Sequence, residues 1–230
     1  MKSIAFDTGP VISLTTNNLL WLLSDLKKEF GGEFLVTDSV EDELISKPLR
    51  TKKFKFEALQ VKKIISEGIL RKFSHDGLNE LADSLYQVAN SIYSIRGRTV
   101  SIVQYAEMEV LAAALLDNSV AIVIDERTTR KLVEDPKALE NILKHKLHAK
   151  VWLNERMLKR FQSLVKGVRI IRSVELVTIA FEKGLLDKYL PGGSDGRRTL
   201  LESILWGVKL HGCSVSHIEI DKIVKLESKK

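Results

Sequence analysis

Acidic residues recur at four places where a strand is predicted to end or a helix to begin. They are Asp7 in IAFDTGPVISL, Glu43 in VTDSVEDELIS, Glu107 and Glu109 in YAEMEVLAAALL, and Asp125 with Glu126 in VAIVIDERTTRKL. Acids far apart in sequence converge if the strands carrying them lie side by side in one sheet. Such a pocket gathers more negative charge than it can hold without cations. It is a candidate site for Mg²⁺ or Mn²⁺, which prefer oxygen ligands. Either aspartate alone is as well explained as a helix N-cap; two on neighbouring strands are not.

The elements that must position these acids are legible in outline. Short apolar runs at 4–6, 34–36, 120–124 and 168–171 predict buried strands. Apolar spacing predicts helices over 11–23, 57–67, 78–95, 103–116, 128–133, 174–183, 200–209 and 217–226, and a short one over SVEDELIS that Pro48 ends. Arg96-Gly97-Arg98 and residues 191–196 are predicted turns or loops. Strands alternating with helices predict an α/β fold of three α/β/α layers around a mainly parallel sheet. With no internal repeat or long linker, residues 1–230 are expected to form one domain, a core of about 1–150 and a helical extension over 165–227. Ligands bind beyond the carboxyl ends of such strands, where Asp7 and Asp125 fall.

Glu43 lies three residues after Val40 and next to Leu44, near the apolar stripe of its helix. Glu107 lies four before Leu111 on a face of small and apolar residues, and is preferred to Glu109, with which it cannot share a face. Asp125 and Glu126 have equal claim to the fourth position.

Charge points the same way. The chain has a net charge of +6, and its cations cluster in KPLRTKKFK and at five other places, which favours a polyanionic partner. The single cysteine, Cys213, excludes an internal disulfide and a cysteine-based zinc site, so the cytoplasm is the expected setting. No apolar run reaches the length of a membrane span, and MKSIAFD leads into a strand rather than a signal peptide. Asp-Thr-Gly at 7–9 is also the aspartic-protease signature, but Pro10 follows it and no second copy exists. GGSDG lacks the lysine of a phosphate-binding loop.

With these motifs in order over residues 4–133, the chain resembles the PIN-domain family, whose members are mostly metal-dependent ribonucleases. FDTGPVISL, SVEDEL, AEMEVLAAALL and IVIDERTTRKL carry the resemblance, and the C-terminal helices are similar to those of archaeal and bacterial members. Ala106 stands where a glycine is common, and Glu126 where a second aspartate is frequent. The resemblance implies hydrolysis of RNA phosphodiester bonds with Mg²⁺ or Mn²⁺ held by Asp7, Glu43, Glu107, Asp125 and Glu126. Thr8 and Ser13 would orient Asp7 or a metal-bound water. Arg127, Arg130, Lys52 and Lys53 would seat the substrate. It implies either an RNA-processing enzyme or a toxin neutralised by an antitoxin-like protein partner; 230 residues exceed the compact toxin format. The apolar face of 200–209 would allow a homodimer. A non-catalytic module binding RNA or protein is the alternative. Phe54 and Phe56 in RTKKFKF are expected in the core rather than stacked on bases.

Overall fold

A computed structural model describes residues 2–227. Eight strands are present among them: β1 (Ser3–Phe6), β2 (Glu33–Val36), β3 (Arg71–Lys72), β4 (Tyr93–Ile95), β5 (Arg98–Thr99), β6 (Ala121–Val123), β7 (Val151–Leu153) and β8 (Ile170–Ile171). Five form a central sheet in the order β3-β2-β1-β6-β8, every neighbouring pair parallel. β1 sits in the middle, with Ala5 opposite Leu35 on one side and Ile122 on the other. SIAF and AIV are buried along their whole length, as strands covered on both faces must be. With its surrounding helices the sheet is consistent with three α/β/α layers.

Packing around β1 is aromatic on one side and small on the other. Phe6 and Phe34 meet at 4.9 Å between ring centroids, and Phe30 extends the stack at 5.8 Å. Burying each such ring is worth roughly 1.5–3 kcal/mol. The helix Tyr105–Leu116 lies against β1 and β6, and its run Ala112, Ala113, Ala114 allows that close approach.

The structure corrects several boundaries. The helix expected over 11–23 is two, Thr8–Thr16 and Leu22–Phe30, because Asn18 turns left-handed at φ 57° between them. Pro48 does not end the helix around Glu43. Instead Asp38–Glu41 passes into a π-turn, Asp42–Ser46, and Lys47–Leu49 follows. Proline lacks an N–H and crowds the carbonyl four residues back, so the backbone widens upstream of it. The helix expected over 78–95 stops at Ala89, and Tyr93–Ile95 starts a second, antiparallel sheet in the order β5-β4-β7. Arg96 and Gly97, both at positive φ, make the two-residue turn that pairs Ile95 with Arg98. Helix Glu155–Leu164 and β7 were not anticipated.

Phe54 and Phe56 are exposed, not in the core. No helix among the described residues is long and apolar enough to cross a membrane.

Candidate metal centre

Asp7 follows β1 directly, and its N–H donates to the Val123 carbonyl of β6 at 3.0 Å, which fixes it at the carboxyl end of the two central strands. It begins the helix Thr8–Thr16, and its side chain is 6% exposed. Burial pushes its carboxyl up to about 7, aided by the charges of Glu107 and Glu43; the N–H groups of Thr8 and Gly9 pull the other way. An acid poised near neutrality by burial and like charge is what a cation would relieve.

Three carboxylates surround it from different elements. Glu43, on the π-turn, accepts from the Thr8 hydroxyl at 2.8 Å, and its other oxygen lies 3.5 Å from the half-exposed Lys47 ammonium. π-turns often occur where a helix must aim a functional side chain. Glu107 starts the helix Tyr105–Leu116; it accepts from the Gln104 N–H at 3.2 Å and the Thr129 hydroxyl at 2.5 Å. Burial raises its pKa above the ordinary range, against those hydrogen bonds, with Glu126 and Glu43 adding to the rise. Glu126 caps the helix Arg127–Glu134 by accepting from the Thr129 N–H at 2.8 Å. Thr129 therefore binds two acids at once, one through its hydroxyl and one through its amide. A shallow cleft lined by Asp42, Glu43, Lys47, Gln104 and Tyr105 opens beside the group.

Asp125 behaves otherwise. Its backbone is close, since a Cβ placed on Gly9 would lie 3.5 Å from Asp125 Cβ and 3.7 Å from Asp7 Oδ2. Its carboxylate turns towards the C-terminal helices: Oδ1 accepts from the Ser173 N–H at 2.7 Å, opening the helix Ser173–Glu182. Oδ2 is buried without a hydrogen bond of good geometry, near the Ser173 hydroxyl and the Cys213 thiol. Burial raises its pKa, and the chief charge acting on it is Glu175. Of the two neighbours, Glu126 and not Asp125 shares the electrostatics of Asp7, Glu43 and Glu107.

The remaining expected residues separate. Thr8 belongs to the group through Glu43. Ser13 does not: it is fully buried and donates to the Val208 carbonyl at 3.2 Å, tying the first helix to Gly196–Leu210. Glu109 is no solvated glutamate; it is 3% exposed and accepts from the Ser39 N–H at 3.0 Å, fixing the helix that leads to Glu43. Arg127 is exposed one residue from Glu126. Arg130 reaches Glu134 at 3.4 Å rather than Glu126, and its Nε is buried without a partner. Lys52 and Lys53 are exposed in the loop after Leu49. Sequence reading missed Thr129, Gln104 and Lys47. A capping residue three positions after Glu126 was the one available signal for Thr129.

Carboxylate, hydroxyl and carbonyl oxygens are the donor class for Mg²⁺ or Mn²⁺. Among the described residues no three such side chains stand in a finished coordination shell. Magnesium keeps several of its waters, so a set of carboxylates reaching it partly through water fits that chemistry.

Comparison of the chain with protein-family models, with curated proteins and with solved structures returned no match.

Proposed function

We propose that this chain is a PIN-like, divalent-metal-dependent ribonuclease that hydrolyses RNA phosphodiester bonds at the carboxyl end of its parallel sheet. The observation that carries this reading is Asp7: a buried acid in the middle of the sheet, held near neutrality by burial and by Glu107 and Glu43. Asp7, Glu43, Glu107 and Glu126 would hold Mg²⁺ or Mn²⁺. When bound, the metal supplies a water of lowered pKa and neutralises charge developing on phosphate.

The chain's own residues do the positioning. Thr129 and the Gln104 amide fix the rotamer of Glu107, and Thr8 fixes that of Glu43. Lys47 balances Glu43 in the absence of a cation and is exposed enough to swing aside. Arg127 stands at the rim, where a guanidinium pairs with phosphate oxygens in a forked geometry. Lys52 and Lys53 would seat flanking phosphates, and the net charge of +6 favours the polyanion.

Asp7→Asn tests the reading. Mn²⁺-stimulated cleavage of single-stranded RNA should fall at least 100-fold, while RNA binding in EDTA stays within twofold of the parent. Cleavage that survives the change places the chemistry elsewhere. One observation favours the alternative, a non-catalytic module that binds RNA or protein: the carboxylates do not already form a closed ligand set. A parent chain that shows no heat of Mn²⁺ binding by calorimetry would select it.

A further inference from the structure

Glu43 has two sides. One faces the acids; the other borders an apolar cavity lined by Ile12, Leu44, Pro48, Phe54, Ala58 and Val61. Its enclosed part holds about 100 Å³, enough for one planar ring and too little for a helix or strand of a partner. Its rim is built from the RTKKFKF segment, where Arg50, Lys52, Lys53 and Lys55 interleave with Phe54 and Phe56. Phe54 is 43% exposed and Phe56 69%. Lys53 Nζ lies 4.6 Å from the Phe54 ring centroid, so a cation already sits on one part of the ring's surroundings.

The backbone is strained to present that ring. Phe54 adopts φ 63° at the start of the helix Lys55–Ser66, a conformation that costs a bulky residue of order 1–3 kcal/mol. Glycine would hold the same turn without strain. An exposed phenylalanine kept there, over a cavity that touches a candidate metal ligand, points to a ligand rather than to packing.

From these observations we infer that the cavity is a base pocket: one unpaired base of single-stranded RNA lies against Phe54, with its flanking phosphates on Lys52, Lys53 and Lys55. The inference rests on the ribonuclease reading for its substrate and deepens it by placing a base next to the site of cleavage. Charge complementarity selects a polyanion, and an apolar wall ending in an aromatic ring selects its bases over its backbone. Paired bases cannot enter, since their faces are stacked.

The polar atoms at the cavity also favour some bases. Thr15 and Thr16 donate their hydroxyl protons to the Val11 and Ile12 carbonyls at 2.6 and 2.9 Å, leaving oxygen lone pairs for a ligand. Glu57 and Glu43 add carboxylate oxygens. A lining of acceptors prefers a base with an exocyclic amino group, adenine, cytosine or guanine, over uracil.

Binding of 12-nucleotide oligo(A), oligo(U) and a 12-base-pair RNA duplex, measured by fluorescence anisotropy in EDTA, tests this without any cleavage. The parent should prefer oligo(A) to oligo(U) and to the duplex. Phe54→Gly, which removes the ring and relieves the left-handed strain, should weaken oligo(A) about tenfold and the duplex less than twofold. Phe54→Tyr should keep parent affinity. An unchanged oligo(A) affinity in Phe54→Gly, or equal losses for oligo(A) and duplex, overturns the pocket. A change of oligomeric state in Phe54→Gly gives the cavity to a second copy of the chain and also overturns it. Loss of Mn²⁺-dependent cleavage in Asp7→Asn reports on the ribonuclease reading alone, so the two fail separately.

Discussion

Asp125 and Glu126 are neighbours in sequence, yet they belong to two regions built on opposite electrostatic plans. Around Glu126, the acids Asp7, Glu43 and Glu107 stand together with hydroxyl and amide donors but little cationic charge. Around Asp125, the C-terminal helices close a knot in which charge is balanced. Arg172 is 8% exposed; it lies 2.5 Å from Glu175 and 3.1 Å from Glu219, and donates to the Ser214 carbonyl at 2.8 Å. Glu219 also accepts from the Ser216 N–H at 2.8 Å. The Ser214 N–H in turn donates to the Asp125 carbonyl at 3.1 Å. Burial alone does not mark a functional acid. A buried acid with its counter-charge and donors in place is a fastening, whereas one facing other acids is held at a cost that a ligand can relieve.

The two regions should answer pH in opposite directions, and this is the largest stability effect to test. The Asp7 carboxyl is raised from 3.8 to about 7, so the folded chain holds a proton there that the unfolded chain has released. Metal-free stability should therefore fall as pH rises from about 4 to about 7, by up to roughly 4 kcal/mol. Asp7→Asn should flatten that decline in urea titrations run across this range; a decline of the same slope in the variant would deny Asp7 its role. Glu219 moves the other way. Desolvation pushes its pKa up, but the Ser216 N–H and hydroxyl together with Arg172 outweigh it and hold the carboxyl down at about 2. Its contribution is present above about 4.5 and lost as pH falls towards 2, and Glu219→Gln should weaken only that acid limb.

Removing the cation of the knot comes next. Arg172→Met should cost roughly 2–4 kcal/mol, at the lower end of what breaking a buried pair usually costs, because Glu175 and Glu219 are partly exposed and can be rehydrated. Chemical denaturation at pH 7 measures it. Mn²⁺ affinity should not change, and a loss of metal binding there would merge the two regions into one.

Asp125→Ala should cost about 1–2 kcal/mol through the lost cap on Ser173 and leave Mn²⁺ affinity within twofold. Glu126→Gln keeps an oxygen for the Thr129 N–H, so stability should move by less than about 0.5 kcal/mol while Mn²⁺ affinity drops about tenfold. Calorimetric titration of both variants decides between them. If Asp125→Ala loses the metal and Glu126→Gln keeps it, the roles assigned to the two neighbours are reversed.

Apolar patterning alone was enough to place β1, β2, β6 and β8 and the helices that follow them, because each strand is a short apolar run ended by an acid or a turn. The second sheet was hidden: Tyr93–Ile95 continues the apolar spacing of the preceding helix, and only its pairing with Thr99 and Trp152 makes it a strand. Phe54 and Phe56 misled for a related reason, since hydrophobicity does not say that a left-handed turn points a ring outward. Ser13 looked available to Asp7 until Gly196–Leu210 packed over it.

The residue order by itself determined which acids lie near strand ends, and so which could meet, because strand termini and helix starts are local matters of apolar runs and caps. Which of them do meet was settled only by tertiary structure. Asp125 and Glu126 have the same local signals, and what parts them is long-range: the Ser173 amide lies 48 residues on from one, and Glu107 precedes the other by 19. A side chain's partner depends on which helix packs over it, and no local pattern carries that information.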